Sequence, residues 1–494
     1  MSRIKMKEEK IKNYLKKKEN IMLLIIIAIA TILRLKYFLA NSTVWWDEAE
    51  YLSTALHWAK DIPYTLNPQR PILLPFLESF FLYINASEAV MRFFILFLPS
   101  LGLIFTTYLL GKEIFNKKTG LIAAAIIAVS WQILFNTTRL HVEVPLLFLI
   151  SLSILYFWKG FIQENKKAKY WCALFTALAF LTKFTAILLI GIYVITLLIT
   201  KREEFKKKET GYALGIGVLT LLPYFIWAQK VFGNPFAFRA ATTALNKGGD
   251  AYTQPIAWNL LNFMQVFLGW FWLILFGIGV ILGLKFLLTL DVVIKNKEQK
   301  ERKNIFMLLF IIIFFFYFIF IQRAAEDRWL LPTIIPMALI IGNATTFLTS
   351  KIKKETWKTT IIIVILLIGI IPQIQEAHEI INIKKDSYKE VKDAAFFIKA
   401  ITKEDEYILT ASGPQTMYYT GRPYVSFGAK ERVLQDIKEK QITYFTISVF
   451  EKHPDWTNQF VKENTNNIQP IQVYPSQEQP LLLVFEIINR EALQ

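Results

Sequence analysis

The sequence predicts a polytopic α-helical membrane protein with about 11 transmembrane helices and a small C-terminal α/β domain. Three observations predict it. The 494 residues are 54% hydrophobic and 15% aromatic, and the apolar residues gather in runs of about 18–30, long enough to cross a hydrocarbon core of ~30 Å. Six short segments, 1–19, 111–119, 159–170, 201–210, 285–304 and 351–358, carry 30 of the 56 lysines and arginines but only 12 of the 39 acidic residues. From Gln373 onward the composition turns polar, and helical and strand-like patterns alternate.

Basic segments beside span ends are the positive-inside signature and mark cytoplasmic loops. The net charge of +17 therefore reports topology and not a nucleic-acid partner. Residues 1–19 form a basic cytoplasmic N-terminus. The run "IMLLIIIAIATIL" that follows has no small-x-small cleavage site after it, so it reads as an uncleaved first helix. Spans are expected at 20–40, 93–110, 120–137, 142–158, 171–181, 184–200, 211–230, 258–284, 305–322, 329–348 and 358–372. The stretch 170–200 has a basic loop on each flank, which demands an even number of crossings. Two short helices breaking near Thr182 and Lys183 meet that demand. Eleven crossings make 20–372 the membrane domain, with an outer loop at 41–92, and leave 373–494 as an extracytoplasmic α/β domain. The location is the plasma membrane, and membrane lipids are the surroundings. The single cysteine, Cys172, excludes an intrachain disulfide and argues against a thiolate metal cluster.

This topology places every unusual polar residue near a span end on the outer face: Asp47, Glu48, Arg70, Arg139, His141, Glu143, Lys183, Asp327 and Arg328. Charged groups converging on one membrane face from separate segments mark a functional site. In "TVWWDEAEYLSTALHWAK" (43–60) the apolar positions recur at helical spacing. An amphipathic helix along the outer surface is expected, with Trp45, Trp46 and Trp58 at headgroup level. Asp47 and Glu50 form a capping-box-like pair, so helix capping and chemistry are both open to Asp47. Glu48 projects about 100° away from Asp47 on a helix, so only one of the two can be the principal carboxylate.

In "NPQRPILLPFLESFFLY" (67–83) the prolines disfavour a regular helix through 68–75, and Arg70 heads an interfacial or re-entrant segment. Its guanidinium either snorkels to headgroups or takes a phosphate. The turn "NTTRLHVEVPLLF" (136–148) packs Arg139, His141 and Glu143 into five residues. A His/Glu pair can contribute to a divalent-cation site, although two ligands do not define one, and no other cofactor is indicated. Lys183 at the expected helix break can meet an anion. Asp327 and Arg328 in "RAAEDRWLLPTIIP" are either a second acid–base cluster or a local ion pair.

"WWDEAEY", "RPILLP", "VEVPLLF", "LTKFT" and "DRWLLPTIIP" occur in this order over residues 20–372. In that order and on one membrane side, they resemble the GT-C-fold glycosyltransferases that use lipid-linked sugars. That group contains the protein O-mannosyltransferases (glycosyltransferase family 39) and the lipid A aminoarabinose transferase. The resemblance implies transfer of a hexose or pentose from a polyprenyl-phosphate donor to a protein, lipid or glycan acceptor, with inversion. It also implies Asp47 as general base, Glu143 as a second acid that orients the acceptor or supports Asp47, and Glu48 as at most a supporting neighbour. Arg70 falls where the aminoarabinose transferases carry a lysine before two prolines, a phosphate contact; here Pro71-Ile72 stands in place of Pro-Pro. Trp329 replaces a tyrosine often found before "LLP".

The chemistry has the same needs whatever the name. An inverting transfer requires a base aimed at the acceptor hydroxyl and cations to stabilise the departing phosphate. Asp47 and Glu143 can supply the first, and Arg70, Lys183, Arg328 and Arg139 the second, with His141 and Asp327 as acceptor or metal support. No Gly-rich phosphate loop is visible, which suits a lipid-linked donor. The alternative class is a secondary transporter with an outer-facing charged site, for which matching halves broken at mid-membrane are expected. In the tail, "SYKEVKDAAFFIKAI" and "AKERVLQDIKEK" read as helices, and "EYILTAS", "ITYFTISVF" and "PLLLVFEII" as strands. "SGPQ" and "TGRP" read as turns.

Overall fold

The computed structural model describes residues 18–239, 256–284, 299–322, 326–475 and 479–493. Most of the expected cytoplasmic N-terminus and of the basic segment 285–304 lies outside the described residues. Helix α1 (Lys18–Tyr37) is followed by α2 (Trp46–Lys60) and α3 (Leu73–Tyr83), which fill the outer loop. Then come α4 (Glu88–Ile114), α5 (Lys117–Val129), α6 (Trp131–Asn136), α7 (Glu143–Ile162), α8 (Lys166–Thr182), α9 (Phe184–Thr200) and α10 (Lys208–Phe232). The set continues with α11 (Ile256–Leu284), α12 (Gln299–Phe316, carried on by a π-helical segment Tyr317–Gln322), α13 (Asp327–Leu330), α14 (Ile334–Leu348) and α15 (Glu355–Lys384).

Among the described residues, eight helices are long and apolar enough to cross a membrane, against the eleven spans expected. The remaining expected spans, 120–137, 171–181 and 184–200, coincide with shorter helices: α5 with α6, α8, and α9. This is a multi-pass membrane protein. Its main core joins Leu110 of α4, Ala124 of α5, Ile154 of α7 and Leu339 of α14. Gly111 and Gly120 let α4 and α5 touch backbone to backbone, because a Cβ on Gly111 would overlap Gly120.

Two helix breaks shape the site. The break expected at Thr182–Lys183 is present: α8 ends at Thr182 and Lys183 is extended, with φ −156° and ψ 123°. A second, unexpected break interrupts the span 120–137 at Ser130, with φ −51° and ψ 122°. Its freed backbone groups are met from other helices. Arg34 of α1, held by Ser100 Oγ at 2.8 Å, donates to Ala128 O at 3.0 Å. Trp131 N–H donates to Gln373 Oε1 at 3.0 Å, and Gln373 Nε2 donates to Phe267 O at 3.1 Å.

Three local expectations are corrected. Helix α2 is not the exposed amphipathic helix expected; Glu48 to Leu56 are all buried, beneath α3 on one side and a helix of the C-terminal domain on the other. Pro75 does not keep α3 from starting at Leu73, because a proline in the first turn gives up an N–H that has no intrahelical acceptor. The polar turn of composition at Gln373 falls inside a continuous helix, α15, which runs on to Lys384.

The C-terminal domain contains α16 (Lys389–Ile401), β1 (Ile408–Thr410), α17 (Gly413–Thr420), β2 (Tyr424–Val425), α18 (Lys430–Glu439), β3 (Tyr444–Ser448), α19 (Trp456–Glu463), β4 (Ile468–Pro475) and β5 (Pro480–Ile487). The sheet order is β2-β1-β3-β5-β4. β1 pairs in parallel with β2 and β3, whereas β5 runs antiparallel to β3 and β4. Phe445 and Phe485 are directly opposed in register and stack at 4.8 Å in its core. "SGPQ" begins α17 instead of making a turn: Ser412 is the cap and Pro414 sits in the first turn.

Candidate active site

The start of α2 is fixed by its neighbours. Val44 N–H donates to the Tyr419 hydroxyl of α17 at 2.7 Å, Ser42 N–H to Lys385 O at 3.2 Å, and Thr43 Oγ1 to Ser387 O. Ser53 Oγ donates to Pro414 O at 3.0 Å further along α2. Because the helix begins at Trp46, the third helical residue is Glu48, and its carboxylate accepts the Trp45 N–H at 2.9 Å. The capping role expected of Asp47 with Glu50 thus belongs to Glu48. The other Glu48 oxygen accepts from Arg139 Nε at 2.7 Å, and the Arg139 guanidinium lies 3.6 Å from the Trp45 ring centre. Glu48 is 0% exposed. The pair Glu48–Arg139 ties the turn 137–142 to the head of α2, in keeping with a supporting place for Glu48.

Relieved of capping, Asp47 becomes the hub of a charge network. Oδ1 accepts from Arg70 Nη2 at 2.6 Å and Oδ2 from Arg328 Nη1 at 2.6 Å, with His141 Nε2 3.4 Å from Oδ2. Arg70 also bonds Glu50 through Nε, and Glu50 accepts from Asn67 Nδ2 at 3.2 Å. Arg328 Nε donates to Glu326 at 2.5 Å. On the far side of His141, Nδ1 meets Glu143, whose other oxygen is 3.0 Å from Lys183 Nζ. Six expected residues, Asp47, Arg70, His141, Glu143, Lys183 and Arg328, therefore form one connected array. Asp327 opens α13, but its side chain lies outside the described residues. Glu50 and Glu326 were missed. Glu50 stands three residues from Asp47, on the same helix face, and that spacing was the signal available.

Burial alone would raise the Asp47 carboxyl, but the His141 contact and the charges of Arg70 and Arg328 outweigh it and hold the group well below the usual carboxylate range. Burial pushes the His141 imidazole down to about 3, against the partial opposition of Asp47. A neutral ring has a single proton, shared between Nδ1, which meets Glu143, and Nε2, which lies 3.4 Å from both Asp47 Oδ2 and Arg328 Nη1. Burial also raises the Tyr51 phenol, to about 12; its ring packs on Arg70 and edge-on to His141.

A cavity of about 410 Å³ opens beside Asp47, on the side of Arg328 and His141, with aromatic walls from Trp45, Trp46, Trp131 and Tyr388. Arg70 and Lys183 lie outside its lining. Ile72 and Leu73, next to Arg70 in sequence, pack with Phe180, Leu181 and Trp227. Among the described residues no three His, Cys, Asp or Glu side chains are grouped to hold a metal ion.

Residues 69–227, from the Arg70 segment into α10, match the family model described as dolichyl-phosphate-mannose-protein mannosyltransferase. ArnT from Cupriavidus metallidurans, solved in the apo state, is 11% identical with a TM-score of 0.64, over 93% of this chain and 97% of its own. The Archaeoglobus fulgidus oligosaccharyltransferase, solved in complex with Zn and sulfate, is 14% identical with a TM-score of 0.58, over 86% of this chain and 68% of its own. The chain has the GT-C fold. Arabinofuranosyltransferase AftD from mycobacteria extends the comparison, at 12% identity and a TM-score of 0.59, over 94% of this chain and 40% of AftD. The ArnT alignment is long enough to reach into the C-terminal domain of the GT-C chain. No curated protein sequence matches it. The GT-C resemblance drawn from the order of five motifs is thus borne out, while identities of 11–14% speak for the fold alone.

Proposed function

We propose that this GT-C protein moves a sugar from a polyprenyl-phosphate donor to an acceptor hydroxyl, with inversion at the anomeric carbon and Asp47 as general base. The site then faces the extracytoplasmic side of the plasma membrane, with the N-terminus cytoplasmic and the C-terminal domain outside. The observation that carries this reading is the double grip on Asp47, with one guanidinium on each carboxylate oxygen at 2.6 Å.

A carboxylate held between two arginines is a weak base. The same two arginines are forks suited to a phosphate. When the donor phosphate takes Arg70 and Lys183, Asp47 loses one counter-charge and gains basicity where the acceptor arrives. The acceptor O–H proton passes to Asp47 as the new bond from that oxygen to C1 forms. The bond from C1 to the phosphate oxygen breaks, and polyprenyl phosphate leaves with the electron pair, its charge met by Arg70 and Lys183. Attack from the face opposite the leaving group inverts C1. Glu143 holds Lys183 and His141 in place; Glu48 and Arg139 hold the helix start and take no part in the chemistry.

ArnT from Cupriavidus metallidurans has also been solved bound to undecaprenyl phosphate, and the Archaeoglobus fulgidus AglB with a dolichol-phosphate; both support a lipid-linked donor. A transporter is expected to show matching halves broken at mid-membrane, whereas this chain shares the fold of ArnT over 93% of its length. The test is to incubate purified protein with a labelled polyprenyl-phosphate sugar and candidate acceptors. Wild type forms product and folded Asp47→Asn does not; equal rates in the two would overturn the base assignment.

A further inference from the structure

The aromatic walls of the cavity beside Asp47 differ in what their rings touch. Trp45 has a face covered by Arg139 and neighbours Phe135 and Tyr388 at 6.1 and 6.0 Å. Trp131 is fixed by its indole N–H, which donates to Val266 O at 2.8 Å. Trp46 is different. It lines the cavity next to Asp47 and is only half-buried, yet it makes no ring or cation contact with any described residue. A half-exposed indole without an aromatic or cationic partner, set beside a reactive carboxylate, is suited to stack on a ligand.

Tyr388 supplies a second sign. Its backbone has φ 67° and ψ 18°, the left-handed region that bulky residues avoid and that persists mainly where the surroundings enforce it, often at functional sites. The surroundings here do enforce it. Just before it, Lys385 O and Ser387 O accept from Ser42 and Thr43, and just after it Val391 N–H donates to Tyr388 O at 3.1 Å to start α16. The outcome is that a ring from the C-terminal domain, backed by Phe450 at 5.3 Å, stands over the cavity.

We propose that this cavity is a saccharide subsite walled by Trp46 and Tyr388, so that the acceptor is a glycan hydroxyl. Flat aromatic faces take the C–H faces of a sugar ring, while Asp47 and Glu326 accept hydrogen bonds from its hydroxyls. A peptide held by backbone pairing along a strand edge has no edge to use here, since every residue lining this cavity belongs to a helix, a helix cap or the turn 137–142. The donor enters from the other side of Asp47, where Arg70 and Lys183 lie beyond the lining. The acceptor role rests on the transferase reading; the saccharide subsite does not.

The test has two arms on the full chain in nanodiscs. Saturation-transfer NMR probes binding of mannobiose, galactobiose and arabinobiose, and a transfer assay offers the same disaccharides or a serine/threonine peptide with a labelled polyprenyl-phosphate sugar. We expect saccharide signals in wild type that W46A and Y388G reduce at least tenfold in affinity, with W46F near wild type. Y388G should stay folded, because the left-handed backbone that glycine accepts offsets in part the lost packing of the ring on Trp45 and Phe450. In transfer, both variants should raise the saccharide KM at least tenfold and leave the donor KM within twofold. Transfer to the peptide alone, absence of any saccharide signal, or wild-type affinity in W46A and Y388G would overturn the subsite. Saccharide binding that depends on Trp46, with no transfer from any donor, would uphold the subsite and overturn the transferase reading.

Discussion

Asp47 and Arg328 stand 281 residues apart in the chain and 2.6 Å apart in space. The short helix α13 thereby delivers a cation to the head of α2, on the carboxylate oxygen that Arg70 leaves free. Asp47→Asn keeps the shape of this junction but removes both the charge and the proton acceptor. Transfer should fall by about 10²–10⁴-fold, the usual contribution of a general base. Single-turnover assays with donor in excess measure it, and a loss under tenfold would mean that Asp47 is not the base.

The grip on Asp47 also sets a pH signature. kcat/KM reports the free enzyme, in which the carboxyl is held well below its ordinary range. Its acid limb should therefore not appear above about pH 4, the ordinary aspartate value. In the donor complex Arg70 is drawn to phosphate, and losing a cation raises an acid's pKa. The acid limb of kcat should lie at higher pH than that of kcat/KM. Coincident limbs in the two profiles would argue that the arginines stay on Asp47 throughout.

Glu48 and Arg139 are a buried pair, with side chains 0% and 8% exposed. Removing one partner leaves the other charged, buried and alone, which costs about 3–5 kcal/mol. Glu48→Ala and Arg139→Ala should each lower the melting temperature sharply, and the double variant by clearly less than the sum of the two. Thermal unfolding followed by tryptophan fluorescence checks the coupling; strict additivity would show that the ion pair does not organise the helix start.

The array that Asp47 heads was legible because its members are charges at span ends that charge topology places on one membrane side. The separation of Asp47 from Glu48 was equally legible, since adjacent helical residues diverge by about 100°. Which acid caps was not, because that depends on where α2 begins. Its start is set by bonds such as Val44 N–H to Tyr419 Oη across 375 residues. Contacts of this kind use backbone groups and leave no pattern in the sequence. The same reason hid the C-terminal domain's grip on 42–44, and the break at Ser130, where an apolar run gives no sign that Gln373 waits across the helix bundle. The start of α17 was hidden differently: "SGPQ" carries both turn and N-cap chemistry, and only tertiary context chooses between them.

His141 predicts how acid affects stability. Its folded value is about 3 and its ordinary value 6.5, so between those pH values the unfolded chain binds a proton that the folded chain refuses. Stability from this residue is present above about pH 6.5 and is lost as pH falls below it. His141→Asn removes the term, while Asp47 stays ionised in both proteins over this range. The gap in melting temperature between wild type and the variant should narrow from pH 7.5 to pH 5. A constant gap would mean that the folded site leaves the imidazole at its ordinary value, and a widening gap that the imidazole is charged there.

Gln373 closes the break that forms one wall of the cavity. Its side chain accepts from Trp131 N–H and donates to Phe267 O, and it is buried. Gln373→Leu keeps the bulk but strands a backbone donor and an acceptor where water does not reach, at a cost of about 1–3 kcal/mol. Trp131 is the first residue after the break and lines the cavity, so the damage should spread to the wall that it forms. We expect a lower melting temperature together with weaker acceptor binding. Gln373→Glu restores the acceptor for Trp131 but not the donor for Phe267 O. It should recover acceptor affinity more than stability if the break is held chiefly through Trp131, and neither if the amide serves only to pack α15 against α11.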